Sequence, residues 1–189
     1  MIRIGILGEI GSGKSFIANK FGYPVFDADR IVSNLYKSNK NVFRKLNKKM
    51  PKYIFSFPID KNEIINAILA NKINLKKIIY IVHQEVRKKM KLFLKKNKNK
   101  KIVILDIPLL LENKINNKED ILIFIDSKKQ DIEKKLKKRE NFNPKLLNKF
   151  KKNQYNPSYK KRMSQFVIKN NFTEKNVKKD IKNILNQIL

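Results

Sequence analysis

Every glycine in this 189-residue chain falls between Gly5 and Gly22, and three of the five belong to one octapeptide, Gly8-Glu-Ile-Gly-Ser-Gly-Lys-Ser15. Ordinary domains hold about 7% glycine, which would put about a dozen along a chain of this length. Lysine, asparagine and isoleucine have displaced glycine elsewhere, so the stretch that kept it is one where a Cβ is not tolerated. Gly8-x-x-x-x-Gly13-Lys14-Ser15 is the pattern of a phosphate-cradling loop, in which backbone amides surround an anion, a lysine reaches its outer oxygens and a hydroxyl meets Mg²⁺. The pattern carries weight only between a strand and a helix. Ile2 to Leu7 is an apolar run of strand type, and Lys14 to Phe21 continues as a helix with Phe16, Ile17 and Phe21 turned inward. The context is met.

Further along, Val25-Phe26 reads as a second short strand, and Ile102 to Ile107 and Ile121 to Ile125 are continuous β-branched and leucine runs, the mark of strands buried on both faces. Phe166 to Ile168 is a fifth. Between them the spacing predicts helices over 31–46, from Asp60 and Glu63 to Leu69, and over 75–94, then one capped by Ser127 and ending near Arg139, and a lysine-rich helix to Gln154. Thr173 caps a terminal amphipathic helix carrying Val177, Ile181 and Ile184. Strands alternating with helices predict an α/β fold with a parallel sheet covered on both faces.

The formal charge of +29 attracts attention to nucleic acid. Only six of the 45 cationic residues are arginine, however, and lysine, asparagine and isoleucine share A/T-rich codons. Lysine is a point charge suited to a solvated surface, whereas base readout favours the planar fork of arginine. Codon drift explains the bias more simply, and no specific nucleic-acid partner is expected. No apolar run reaches the 18 or so residues of a membrane span, and the absence of cysteine fits a reducing cytoplasm.

Several acids stand where open α/β sheets bind ligands, beyond the carboxyl ends of strands. Asp27 and Asp29 follow the second strand; one of them either accepts the proton of an attacking hydroxyl or caps the next helix. Asp106 ends the third strand, just before Pro108, and either holds Mg²⁺ through water in a Walker B position or is a strand-end carboxylate that caps or faces solvent. Glu112 is a weaker candidate. Arg139, after the fourth strand's helix, either neutralises a transferring phosphoryl group or complements the helix dipole. His83 is the only histidine, and a lone helical histidine is more commonly a packed or solvent-facing residue than a catalyst.

Taken in order, Gly8 to Ser15, Asp27-Ala-Asp29, Ile59-Asp-Lys61, Ile81-Val-His83-Gln84, Pro108-Leu-Leu-Leu-Glu112, Gln130 with Arg139, Gln154 and Ser164 to Asn170 resemble the motif series of the dephospho-CoA kinases. The resemblance runs from residue 2 to about 171. It implies a three-layer P-loop kinase fold with a five-stranded parallel sheet, and transfer of the ATP γ-phosphoryl group to the ribose 3′-hydroxyl of dephospho-CoA, the last step of coenzyme A synthesis. Gly11, Ser12, Gly13, Lys14, Ser15 and Phe16 would hold ATP, and Ser15 and Asp106 the Mg²⁺. Asp29 would be the base, acting with Lys14 and Arg139. Asp27, Asp29, His83, Pro108 and Leu109 would touch the acceptor. A core (about 1–30, 100–139 and 164–189), a helical acceptor-binding portion (about 31–95) and a lid (about 140–163) would make one monomeric domain.

The chain departs from that series at Leu7, Glu9, Phe16, Gln84, Lys135, the Gln130–Arg139 spacing and Ser164-Gln165. Glu9 either brings negative charge to the phosphates or points away from them. The rival readings are another P-loop kinase of a small or nucleotide substrate, and a basic nucleic-acid-binding ATPase.

Overall fold

The computed structural model describes residues 1–139 and 142–189, so the first two positions of the expected lid, Glu140 and Asn141, lie outside the described residues. Five strands form one sheet in the order β2-β3-β1-β4-β5: β1 (Ile2–Gly8), β2 (Val25–Asp27), β3 (Ile102–Asp106), β4 (Ile121–Asp126) and β5 (Phe166–Lys169). Every neighbouring pair is parallel, with Ile4 opposite Ile104 and Ile121, and Asp27 opposite Asp106. All five expected strands are present. The β-branched and leucine side chains of β1, β3 and β4 fit the pleat and are largely buried on both faces, as a parallel sheet between helical layers requires, while the edge strand β5 leaves Val167 exposed.

The chain divides into two compact units. The first comprises Met1–Asp27, Asn97–Asn143 and Phe150–Leu189 and contains the sheet. On one face of it, Ile4, Ile6, Ile102, Ile104, Ile123, Ile125 and Ile168 meet Ile17, Ala18 and Phe21 at the first helix, α1 (Lys14–Lys20), and Val177, Ile181 and Ile184 of the terminal helix, α9 (Glu174–Ile188). Alternation sends Leu7, Leu105, Leu122 and Phe124 to the other face, also buried. Each fully buried isoleucine contributes about 1.5–3 kcal/mol. Phe16, expected inward, is 45% exposed with Lys20 over its ring; Ile17 and Ala18 already fill the sheet-facing positions.

The second unit comprises Ala28–Lys96 and Pro144–Lys149. Its centre is α5 (Lys72–Lys96), packed against α2 (Ala28–Ser38), α3 (Lys40–Lys49) and α4 (Lys61–Ala70). The single helix expected over 31–46 is two, because Asn39 ends one and caps the next, accepting from the Val42 amide at 3.0 Å. Asparagine does this because its side chain substitutes for a missing carbonyl acceptor. Asp60 caps α4 as expected, but Glu63 does not reach back to it; its buried carboxylate instead accepts from Phe55 N and the Ser56 hydroxyl and pins the 51–58 loop. Lys149, on α7 (Pro144–Lys151), donates to Ile68 O and Leu69 O at 2.7 and 2.8 Å, satisfying carbonyls that α4 leaves open at its end.

One ion pair in the first unit is fully enclosed. Lys160 lies on α8 (Pro157–Arg162), a helix the sequence reading did not resolve, and α8 packs against β1 and β4. Its ammonium is 2% exposed and lies 2.7 Å from Glu112 Oε1, which also accepts from Tyr155 N at 2.8 Å. The acid that looked weak in sequence therefore anchors the segment returning from the expected lid to the core. Removing one partner strands a buried charge, so Glu112→Ala should lose about 3–5 kcal/mol in urea unfolding. Glu112→Leu combined with Lys160→Met should recover most of that loss, and a loss below about 1 kcal/mol in the single variant would show the pair to be solvated.

Candidate active site

The Gly8–Ser15 loop leaves the end of β1, at the centre of the sheet, and enters α1. Gly11 has φ of 90° and Gly13 of 89°, both in the left-handed region that a Cβ disfavours. Space forbids a side chain as firmly. A Cβ on Gly11 would stand 2.9 Å from Leu136 and 3.1 Å from Ile132, and one on Gly13 would stand 2.5 Å from Asn170 Nδ2. Ile132 and Leu136 belong to α6 (Lys129–Lys137), so this helix is seated directly on the loop.

Lys14 Nζ donates to the carbonyls of Gly8 and Glu9 at 3.2 and 2.7 Å, which holds the ammonium over its own loop. Glu9 contributes its main chain here: its carbonyl also accepts from Ser12 N at 3.1 Å. Beside Lys14, the Ser15 hydroxyl donates to Asp106, which is 4% exposed at the end of β3. Burial pushes the Asp106 carboxyl above the usual range; the Ser15 hydrogen bond and the Lys14 charge oppose that, and the neighbouring Asp27 charge reinforces it. Lys14, Ser15, Asp27 and Asp106 are thus one cluster.

The loop is tied to the ends of β4 and β5. Ser12 O accepts from Ser127 Oγ at 3.0 Å and from Asn170 Nδ2 at 2.8 Å. Ser127 was expected to cap α6; that position is taken by Lys128, which makes no side-chain cap, and the hydroxyl serves the loop instead. Asn170 closes the segment 164–170, whose motif pattern assigns it no role by itself. The available signal is an asparagine pair, Asn170-Asn171, directly after the short β5 run. Phe172, at φ 62°, follows it, with Lys135 lying 5.2 Å over its ring. Thr173 holds the N-cap position of α9 without accepting from a helix amide, and its hydroxyl donates to Asn171 Oδ1.

Pro108 and Leu109 form the half-buried turn after β3, and Leu109 O accepts from Asn113 N. Arg139 is exposed just past α6, its amide donating to Leu136 O at 3.1 Å. Gln165, one of the departures, takes a structural place: its side chain accepts from Leu122 N at 2.7 Å while its amide donates to Leu122 O, extending the β4–β5 pairing. In the second unit, Asp29 is exposed in the first turn of α2, two residues beyond Asp27. His83 is half-buried on α5, and burial followed by the Arg87 charge lowers its pKa, favouring the neutral ring.

No helix of the described residues is long and apolar enough to cross a membrane. Among them, too, no group of three or more histidine and carboxylate side chains could cage a metal. The donor set that does exist, one hydroxyl and one buried carboxylate in mutual contact, fits Mg²⁺, which keeps several waters and takes its other ligands from phosphates.

A strand, a glycine loop with Lys-Ser and a helix, at the centre of a parallel sheet in the order 2-3-1-4-5, define a P-loop kinase. The chain belongs to the dephospho-CoA kinase family, whose model matches residues 2–176. It is 34% identical over 190 residues to the dephospho-CoA kinase of Wolbachia sp. subsp. Brugia malayi, covering 98% of this chain and 97% of that one. Against the dephospho-CoA kinase of Rickettsia felis the identity is 30%, covering 98% and 96%. Among solved structures, a Thermus thermophilus protein superposes with a TM-score of 0.78 at 23% identity, covering 100% of this chain and 98% of that one. The dephospho-CoA kinase from Campylobacter jejuni gives 0.64 at 19%, covering 98% and 96%. These last two likenesses establish the fold.

The buried charge of Asp106 yields a prediction of its own. Its folded pKa is raised, so the unfolded chain ionises first and this group's contribution to stability falls as pH rises from about 3.9 through the raised value. Asp106→Asn removes that loss. At pH 8 the free variant should melt at or above the temperature of the parent, by calorimetry, and a drop of several degrees would mean that the ionised carboxylate stabilises the fold.

Proposed function

We propose that this protein phosphorylates the ribose 3′-hydroxyl of dephospho-CoA with ATP, releasing ADP and coenzyme A. Family membership over residues 2–176 supports the reaction, and the observation that carries it at the level of residues is the Lys14–Ser15–Asp27–Asp106 cluster beside a loop that excludes side chains. In this reading, residues 11–16 bind the ATP phosphates through main-chain amides and Lys14. The main chain of Phe16 is its contribution, since the ring lies exposed under Lys20.

Ser15 and Asp106 would hold Mg²⁺, which when bound neutralises charge on the β- and γ-phosphates. Asp106 would do so in its ionised form. Asp29 would take the proton from the attacking 3′-oxygen as the O–P bond forms. The leaving ADP carries away the electron pair of the broken bond. Arg139 would supply a planar cation to the transferring group from the root of a lid at about 140–163. Asp27, His83, Pro108 and Leu109 are the proposed acceptor contacts, and neutral His83 suits a hydrogen-bonding rather than a charge-pairing part. The enzyme is read as a monomer of the cytoplasm.

A coupled assay of ADP release tests the reading, with dephospho-CoA set against nucleoside monophosphates. Turnover of monophosphates alone would overturn it in favour of another P-loop kinase. Asp29→Asn should lower kcat by about 10²–10⁴-fold, the range of a general base, with ATP affinity changed by less than about threefold as a residue acting in the transition state requires. Equal losses in both quantities would make Asp29 a helix cap. Arg139→Lys should slow transfer by about tenfold or more, because an ammonium cannot copy the guanidinium fork.

A further inference from the structure

A peptide group is planar and trans, so its C=O and N–H point in opposite directions. Whatever fixes the carbonyl of Ser12 therefore fixes the amide of Gly13. That carbonyl receives two donors at once, Asn170 Nδ2 at 2.8 Å and Ser127 Oγ at 3.0 Å, which uses both oxygen lone pairs. Neither donor is a neighbour in sequence: they lie 158 and 115 residues away, at the ends of β5 and β4.

Asn170 is itself held rigidly. It is 2% exposed, its amide donates to Asp126 O at 2.8 Å, and its Oδ1 accepts from Phe172 N at 2.9 Å. The side-chain oxygen being occupied, the NH₂ group is left to face Ser12, so the rotamer is determined by hydrogen bonding on both sides. Its nitrogen also fills the space where a Cβ of Gly13 would stand. The loop peptide is thus clamped from the sheet, with its carbonyl turned toward the strand ends and its amide turned the other way. Loops that bind phosphate do so with converging main-chain amides, and they bind more tightly when those amides need no reorientation.

We propose that Asn170, seconded by Ser127, is a positioning residue for ATP: by gripping the Ser12 carbonyl it presets the Gly13 amide to donate to a nucleotide phosphate. The proposal rests on the reading of residues 11–16 as the ATP site and assigns that site a determinant outside the loop. It acts on one substrate only. Nothing in it touches the acceptor.

Asn170→Asp is the sharpest probe, being of equal size and still able to accept from Phe172 N while facing the Ser12 carbonyl with an oxygen instead of a donor. Calorimetric titration with a non-hydrolysable ATP analogue should show affinity weakened at least tenfold, and KM for ATP should rise in step while KM for dephospho-CoA stays within twofold. Ser127→Ala, a milder change that spares the fold, should weaken the analogue by about two- to fivefold in the same direction. Unchanged analogue affinity in Ser127→Ala together with a folded Asn170→Asp would overturn the proposal, as would equal rises in KM for both substrates, the mark of a merely structural residue. If the parent protein binds the analogue but leaves dephospho-CoA unphosphorylated, the functional reading fails and the calorimetric comparison still decides this inference. A parent protein that does not bind the analogue would overturn both.

Discussion

A phosphate must be met by several donors from one side, and here those donors come from a main chain that cannot carry side chains. Gly11 and Gly13 sit at φ near 90° with α6 pressed against one and Asn170 against the other. That constraint reaches outward. Close seating of α6 places the root of the expected lid on the loop, and the clamp on Ser12 O ties the ends of β4 and β5 to it. The central position of β1, flanked by β3 and β4, is what lets one short loop be reached from both sides.

Charge is handled by pairing a few buried groups and leaving the rest in water. Asp106 is kept near Lys14 and Ser15 although burial disfavours its ionised form, a local expense that a purely structural core would avoid. Arg3 and Asp120 make a comparable tie elsewhere in the first unit, with nitrogen and oxygen 3.0 Å apart and the carboxylate almost fully enclosed. The lysines that dominate the composition mostly stay on the surface, where single pairs such as Lys161–Asp126 contribute little.

Strands β1, β3 and β4 were legible because apolar runs buried on both faces leave few alternatives, and the glycine loop because its backbone demands are absolute. Less legible were features decided by a partner distant in sequence. Asn39 splits a helix that periodicity ran together, since a cap is a local choice that hydrophobic spacing does not record. Ser127 had the right identity for a helix cap and was drawn instead to a carbonyl 115 residues earlier. Gln165 replaces the usual motif residue and still completes a strand pairing. Phe16 looked like core by type, yet neighbours with better geometry took the inward positions. Asp29 and Arg139 owe their proposed roles to motif position, since exposure alone does not distinguish a catalytic carboxylate or guanidinium from any other.

Lys160 was the residue least visible in sequence, one lysine among many, and it is enclosed to 2% exposure against Glu112. A chain under mutational pressure toward A/T-rich codons gains lysine almost everywhere, and on the surface the gain is reversible: an arginine in the same place would be equally well hydrated. Inside, an arginine would have to seat a broader, planar guanidinium against Glu112 at a side-chain position only 2% exposed. Were base composition to swing the other way, a surface lysine could change to arginine at little cost, whereas a change at position 160 would have to be accommodated inside the fold. On the exterior a cation can be exchanged for another, and Lys160 marks where that freedom stops.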